Sequence, residues 1–330
     1  MKNVLLIAGL GERYYYDRFI APCIEEGLNV YVFDPSRLPK QAMISMDLNE
    51  SNSVVGYIDV FKHLGEDLVE VRLPISEVDV AWYLRENYDD AEGEDDSLAV
   101  RFARNESRRA FLSFLSVLGC KWINRKEVID RVSSNKFYQQ HVARQCGLTV
   151  PETLISNDPE EVTVFSGASG GLLLKTLGYM KLDSAGNDFL YSERFSHEEL
   201  VSSTDAIRAC PIFAQRYVEK RYEYRVMVVG NKVLACRIDS QASSMTKTDW
   251  RHYDFKNVAH IRAELPITIQ KRLINFMEKI ELNYGAIDLI ETPAGDYVFL
   301  EINPCGQWGW IEHYANLSIP QAVADMIKSI

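Results

Sequence analysis

Residues 285–303 read Gly285-Ala-Ile-Asp-Leu-Ile-Glu-Thr-Pro-Ala-Gly-Asp-Tyr-Val-Phe-Leu-Glu-Ile-Asn303. Two apolar, alternating runs flank a Thr-Pro-Ala-Gly turn, the pattern of a β-hairpin. A turn centred on Ala294–Gly295, or a four-residue loop over Pro293 to Asp296, sets Asp288 directly opposite Glu301. Strand alternation then puts Asn303 on the same face, one pleat further on. Like charges facing each other destabilise a sheet, and a hard cation with oxygen ligands would relieve them. Magnesium suits this set, because it takes one or two carboxylates and fills its remaining positions with water and nucleotide phosphates. Taken alone, the segment also fits a solvated acidic hairpin.

Upstream of the hairpin, Ile269, Leu273, Phe276 and Ile280 recur at helical spacing, and a further hairpin turns at Gly230-Asn231. Hairpins around a helix make the region from about Ile212 onward α+β. Glu223 and Arg225 share a strand face. A two-residue Gly230-Asn231 turn would put Arg225 and Arg237 on opposite faces, and a bulge or odd-length loop would reunite them. Before this region, Ser134 reads as an N-cap with Lys136 in the first helical turn, and Tyr138, Val142 and Cys146 form the helical stripe that Gly147 ends. Ser166-Gly-Ala-Ser-Gly-Gly171 leads into Leu172-Leu-Leu-Lys175, as in a phosphate-covering hairpin; the Walker spacing is missing, which excludes a P-loop.

At the start of the chain, Val4–Ala8 and Val30–Phe33 with a helix-length segment between them predict a β-α-β unit, Val78–Leu84 a further strand and Asn105–Leu118 a helix. Gly9-Leu-Gly11 suggests a dinucleotide fingerprint, but Tyr14 occupies the third glycine position, where close packing is needed. Trp122–Asn124 closes this unit.

The 330 residues are 47% apolar and carry a net charge of −11, enough for a sizeable core and poorly suited to duplex nucleic acid. The acidic run from Asp89 to Asp96 reads as a solvated loop. Six scattered cysteines form no CxxC pair, so neither a disulfide framework nor a zinc site is predicted. Without an apolar span or signal-like start, the chain reads as soluble and cytoplasmic, with no membrane partner.

The order of Lys136, Lys175, Gln215-Arg-Tyr-Val218, Glu223-Tyr-Arg225, Asp288 and Glu301-x-Asn303 resembles the ATP-grasp superfamily along about residues 125 to 330. More narrowly, Trp122-Ile-Asn124, Gly147-Leu-Thr-Val-Pro-Glu-Thr153, Lys175-Thr-Leu-Gly178, Asp249-Trp-Arg251 and Glu301-Ile-Asn-Pro-Cys-Gly-Gln-Trp308 resemble the graspetide synthetases, the microviridin-type peptide maturases, over nearly the whole chain. The resemblance implies an ATP-grasp fold, α/β and α+β, in three parts: an N-terminal α/β domain (1–125), a central domain (126–211) and a C-terminal domain (212–330), with ATP between the last two.

It implies phosphate contacts from Lys136 and Lys175, adenine pairing along the hinge Gln215, Arg216, Tyr217 and Val218, and a ribose contact from Glu223. Relatives tend to have Glu and Pro where this chain has Arg216 and Glu219. Two magnesium ions on Asp288, Glu301 and Asn303 are implied, as is a catalytic role for Arg251, Arg237 and Arg225. The implied reaction phosphorylates an Asp or Glu side chain of a ribosomal precursor peptide, and a Ser, Thr or Lys side chain then closes an ω-ester or ω-amide. Asp183, Asn187, Asp188 and Glu193, within Tyr179–Phe195, are the candidate leader contacts, and relatives imply a homodimer. Two alternatives share the motifs: a ligase joining free amino acids to a peptide or small molecule, and a non-catalytic nucleotide- or peptide-binding regulator.

Overall fold

The apolar runs at the start of the chain become parallel strands. In the computed structural model, which describes residues 1–51, 53–65, 67–85, 97–178, 192–252 and 254–330, β1 (Asn3–Ala8) and β2 (Asn29–Phe33) pair in parallel around α1 (Arg13–Glu25). Three antiparallel strands follow, β3 (Ile44–Leu48), β4 (Val54–Leu64) and β5 (Asp67–Pro74), before β6 (Val80–Arg85) returns parallel to β1. Helix α2 (Leu98–Val117) leads to β7 (Lys121–Trp122) at the far edge of a sheet ordered β3-β4-β2-β1-β6-β7, with β5 also on β4. The sequence starts α2 at Asn105; it begins earlier because Ser97 caps it, accepting from the Val100 N–H at 3.4 Å. The glycine-bearing turn after β1 is held to β2's end through Asp34. Its Leu10 N–H donates to the carboxylate of buried Asp34 at 2.8 Å.

In the second unit, α3 (Lys126–Ser133) precedes α4 (Lys136–Gln145), whose N-cap is Asn135 rather than Ser134. The Asn135 side chain accepts from the Tyr138 N–H, three residues on, which is the separation a cap needs; Ser134 stands one residue too early. Next come β8 (Thr153–Ser156), α5 (Pro159–Gly167), β9 (Gly171–Lys175), β10 (Glu193–Ser196), α6 (His197–Ser202), α7 (Thr204–Ala209) and β11 (Ile212–Gln215). Their strands form an antiparallel sheet ordered β10-β9-β11-β8. Val162, Leu200 and Ile207 of the helices pack on Leu172 and Ala214 of the strands.

The last sheet is ordered β14-β13-β12-β15-β16, from β12 (Tyr222–Val229), β13 (Lys232–Ile238), β14 (His260–Ala263), β15 (Tyr284–Glu291) and β16 (Tyr297–Asn303). Between β14 and β15 lies α8 (Ile267–Lys279), and α9 (Gly309–Ala315) follows β16. Leu273 and Phe276 of α8 and Val142 of α4 bury one face of this sheet against Tyr224, Val226, Ile287 and Phe299. Each such side chain contributes about 1.5–3 kcal/mol when fully buried, so this face anchors the sheet and frees the other for polar chemistry.

The final helix, α10 (Ile319–Ser329), leaves this unit and packs with α1: Gln321 and Lys328 both donate to Glu26, at 3.3 and 2.6 Å. The chain thus forms two units, residues 127–317 in one and residues 1–126 with 318–330 in the other. The sequence assigns the C-terminal residues to the domain starting at 212; instead they complete the first unit, because the apolar face of α10 is buried there. The acidic run at 89–96 lies outside the described residues.

Candidate active site

The β15–β16 hairpin brings Asp288 and Glu301 together, by a different route from the one the turn suggests. Its loop closes with the Thr292 N–H donating to the Asp296 carbonyl and the Gly295 N–H to the Thr292 carbonyl, both at 2.9 Å. That sets Glu291 against Tyr297, Ile290 against Val298 and Leu289 against Phe299, one residue out of the register that an Ala294–Gly295 centre requires. A bulge at Leu300 takes up the difference, and Asp288 then opposes Glu301 and Ala286 opposes Asn303. Because of the bulge, two consecutive residues, Leu300 and Glu301, line one cleft with Asp288 and Ile290.

The facing carboxylates are also met by cations of the protein. Arg225 donates to Asp288 Oδ1 at 3.0 Å, and Lys136 Nζ lies 3.4 Å from Glu301 while donating to the Thr176 carbonyl at 3.3 Å. Burial raises the Asp288 pKa, and the Glu301 charge across the ladder adds to this; Arg225 opposes it. Burial also works against the Glu301 carboxylate, but Lys136, Lys175 and Arg251 outweigh it and the pKa falls. The Lys175 ammonium is pushed down by burial and by the like charges of Lys136 and Arg251, with Glu301 pulling the other way.

The β12–β13 ladder runs without a break, pairing Glu223 with Ile238, Tyr224 with Arg237 and Arg225 with Cys236. Arg225 therefore shares a face with Asp288 and Glu223. Arg237 does not: it lies on the opposite face, its guanidinium 4.4 Å above the Tyr222 ring. The catalytic role inferred for Arg237 is withdrawn, since no bulge or odd loop turns it toward the cleft. Gly306 lets the chain after β16 press onto Arg225; a Cβ there would sit 2.2 Å from the Ala286 methyl and 2.8 Å from the guanidinium.

The cleft holds about 600 Å³ of space, part of it open to solvent. Its lining includes apolar Pro151, Leu173, Val218, Ile290 and Leu300 and charged Lys175, Glu223, Arg251, Asp288 and Glu301. The segment Gln215 to Val218 runs along it. The Gln215 side chain is engaged within the protein, donating to Thr153 Oγ1 at 3.0 Å, which in turn donates to Gln140. Arg216 is paired with Glu152 at 2.8 Å, and Arg194 stacks 4.0 Å from the Tyr217 ring. The hinge side chains are thus committed to the protein.

Glu223 is buried, and burial raises its pKa despite Lys220, which donates to it at 2.6 Å. Lys220 is absent from the sequence-based site, although its spacing of three from Glu223 is a usable signal; it also donates to the Thr248 carbonyl at 3.0 Å. Asp249 and Arg251 form a two-pronged ion pair, Arg251 Nε donating to Asp249 Oδ1 at 2.8 Å and Nη2 to the other oxygen. Burial penalises the Asp249 carboxylate, but Arg251 more than offsets this and holds its pKa at about 2. Arg251 lines the cleft with Glu301 and lowers the Glu301 pKa from there.

Asn303 lies one pleat beyond Glu301, with Oδ1 accepting from the Cys305 N–H at 2.9 Å, which fixes its amide. Among the described residues no group of three or more His, Cys, Asp or Glu side chains could hold a metal by itself. Two facing carboxylates and an amide oxygen fit magnesium where phosphate oxygens complete the shell. Of the candidate leader contacts, Glu193 begins β10 opposite Leu174, and Asp183, Asn187 and Asp188 lie outside the described residues. All six cysteines are free, and burial pushes Cys23 and Cys236 up to about 12. No described helix is long and apolar enough to cross a membrane.

Three antiparallel or mixed sheets, with a cation-lined cleft in the second unit, define the ATP-grasp ligase fold, a fold of enzymes that bind ATP or ADP. Solved structures match it over its full length. The chain is similar to a RiPP-associated ATP-grasp ligase of Chryseobacterium gregarium, determined with ADP and a leader and core peptide, at 24% identity and a TM-score of 0.87, over 100% of this chain and 97% of that one. It is 27% identical to the macrocyclase MdnC of Microcystis aeruginosa, determined with the precursor peptide MdnA, with a TM-score of 0.81 over 99% of this chain and 100% of that one. The macrocyclase MdnB of the same organism is 26% identical, with a TM-score of 0.76 over 99% of both chains. No family model and no curated protein matches the sequence.

Proposed function

We propose that this protein is a graspetide synthetase, an ATP-dependent peptide macrocyclase that joins Asp or Glu side chains of a ribosomal precursor peptide to its Ser, Thr or Lys side chains. The observation that carries this reading is that Asp288 and Glu301 line one cleft with Lys175, Arg251 and several apolar residues, with Lys136 paired to Glu301. Such a cleft seats a nucleotide base on Leu173, Ile290 and Leu300 and its phosphates among the cations. The full-length likeness to peptide macrocyclases supports a peptide substrate over a free amino acid.

Adenine pairs with backbone groups of Gln215 to Val218, the ribose meets Glu223, and Lys136 and Lys175 draw the triphosphate into line. Asp288, Glu301 and Asn303 would hold magnesium, two ions on the ATP-grasp pattern, and bound there the metal supplies charge neutralisation at the β- and γ-phosphates. A peptide carboxylate oxygen attacks the γ-phosphorus and ADP leaves, giving an acyl phosphate. A hydroxyl or amine of the same peptide then attacks the acyl carbon, loses its proton and expels phosphate. Arg251, fixed by Asp249, stabilises the negative charge that grows on the acyl oxygen. We place the leader on the segment around Tyr179–Phe195, and take the working form to be a cytoplasmic homodimer.

The test is to incubate the protein with magnesium-ATP and the short peptides encoded beside its gene, and to weigh the products. Loss of one water mass per ring, with matching ADP release, is the expected result. A gain of an amino-acid mass would move the protein to the free-amino-acid ligases, and nucleotide binding without turnover would make it a regulator.

A further inference from the structure

Beside the cleft lies a set of aromatic rings that nucleotide binding does not explain. Trp250, on the cleft wall, packs on Trp310 of α9 with ring centres 5.0 Å apart. Trp310 meets the edge of His260 at 5.4 Å, His260 lies 5.4 Å from Tyr314, and Tyr314 stacks on Phe255 at 5.1 Å and 16°. The rings make one continuous shelf. Its inner end is beside Arg251, and its outer end is in water: Phe255 is 39% exposed and Tyr314 44%.

The segment that carries the outer end of the shelf is basic in a chain of net charge −11, with Glu264 just beyond it and Glu312 on α9 as the neighbouring acids. Residues 245–262 hold Lys247, Arg251, Lys256 and Arg262 against Asp249 and Asp254. Both acids are engaged locally, Asp249 by Arg251 and Asp254 by the Asn257 amide at 2.9 and 3.0 Å. Lys256 adjoins Phe255 and is exposed, and Arg262 reaches the Asn316 carbonyl at the end of α9, beside the Tyr314 end of the shelf. Aromatic faces with a cationic border attract a chain that has both ring or aliphatic side chains and carboxylates.

We propose that this shelf is the docking surface for the acidic core segment of the peptide substrate, holding the residues next to the carboxylate that enters the cleft. The proposal rests on the peptide reading given above and adds the place and chemistry of core recognition. Trp250 belongs to both cleft and shelf, so a peptide lying on Phe255 and Tyr314 leads directly to Arg251. Neighbouring carboxylates of the core meet Lys256 and Arg262.

The probe is a fluorescent random copolymer of glutamate and tyrosine, titrated against the full-length protein with nucleotide affinity measured in parallel. Binding is expected for wild type, to be absent for a lysine–tyrosine copolymer, and to weaken about tenfold in Phe255→Ala and Tyr314→Ala with unchanged ATP affinity. Lys256→Glu should weaken it as well and reduce its salt dependence. Equal binding by a glutamate homopolymer, no binding by wild type, or full affinity in both ring variants overturns the shelf. With any precursor that the enzyme cyclises, Phe255→Ala should raise KM about tenfold and leave kcat near wild type; an unchanged KM also overturns it. If wild type binds the copolymer through the shelf yet dehydrates no precursor, the macrocyclase reading fails and the acidic-peptide site stands.

Discussion

Two hairpins of one sheet treat their polar side chains differently. The β12–β13 ladder is regular, so Arg225 and Arg237 are separated to opposite faces by their position numbers alone. The β15–β16 ladder is bulged, so Leu300 and Glu301, neighbours in sequence, both line the cleft. A regular ladder sorts residues by parity, and a bulge suspends that rule for one step, at the point where the apolar Leu300 and the carboxylate of Glu301 both enter the cleft.

The sharpest way to break the comparison is to remove its charged pair. Asp288→Asn and Glu301→Gln should each reduce ADP release by about a hundredfold or more with the fold intact by circular dichroism. Wild-type turnover in both would remove the metal assignment. Arg251→Ala should cost about a hundredfold in ring formation with ATP affinity nearly unchanged, and Arg251→Lys should recover only part of it, since an ammonium lacks the two-pronged fork. Equal water loss by mass spectrometry would pass that role elsewhere.

Next comes the pair of arginines. Arg225→Ala leaves Asp288 buried without its partner and should destabilise the protein by about 3–5 kcal/mol in urea titrations, whereas Arg237→Ala should leave turnover within about twofold. The reverse pattern would mean that the faces are misassigned. Leu300→Ala tests the bulge itself: it should weaken ATP binding about tenfold, the equivalent of losing much of one buried leucine, with little change in kcat.

The smallest effect is in pH. The folded pKa of Asp249, about 2, lies below its ordinary 3.8. Its contribution to stability is therefore fully present above about pH 4 and disappears as pH falls through 2. Asp249→Asn should lack that part of the acid slope, which equilibrium unfolding between these pH values will measure.

Much of the site is legible because it sits on regular elements. Lys136 in a first helical turn and Lys175 at a strand end follow from period and alternation, whereas Asp288 meets Glu301 only because the bulge at Leu300 cancels a one-residue offset set by the turn. The turn at Pro293–Gly295 was less legible, since Pro-Ala-Gly suits more than one loop length, and the bulge that compensates for it leaves no mark in the composition of Phe299-Leu300-Glu301. Strands β3 to β5 gave no signal because much of their surface is exposed, with Leu48, Val55, Leu64 and Val69 in water, so no buried face imposed alternation. The start of α2 was hidden for a related reason: Leu98 and Phe102 are exposed, and the helical stripe becomes apolar only near Phe111. Lys220 is legible only as a partner three residues from Glu223, while its contact with Thr248 and the aromatic shelf depend on contacts between distant segments, which no local period encodes.

The return of α10 to α1 bears on how the chain is made. Residues 127–317 are contiguous, so that unit can finish folding as soon as they clear the ribosome. The other unit holds residues 1–126, made earlier than 127–317, but must wait for Ile319, Val323 and Ile327 of α10 to pack with α1. The usual N-to-C order of vectorial folding is thereby inverted, with the cleft assembled while the sheet of residues 1–126 still lacks α10. A nascent chain stalled after residue 317 should show a protease-resistant 127–317 fragment, while residues near α1 are still cut.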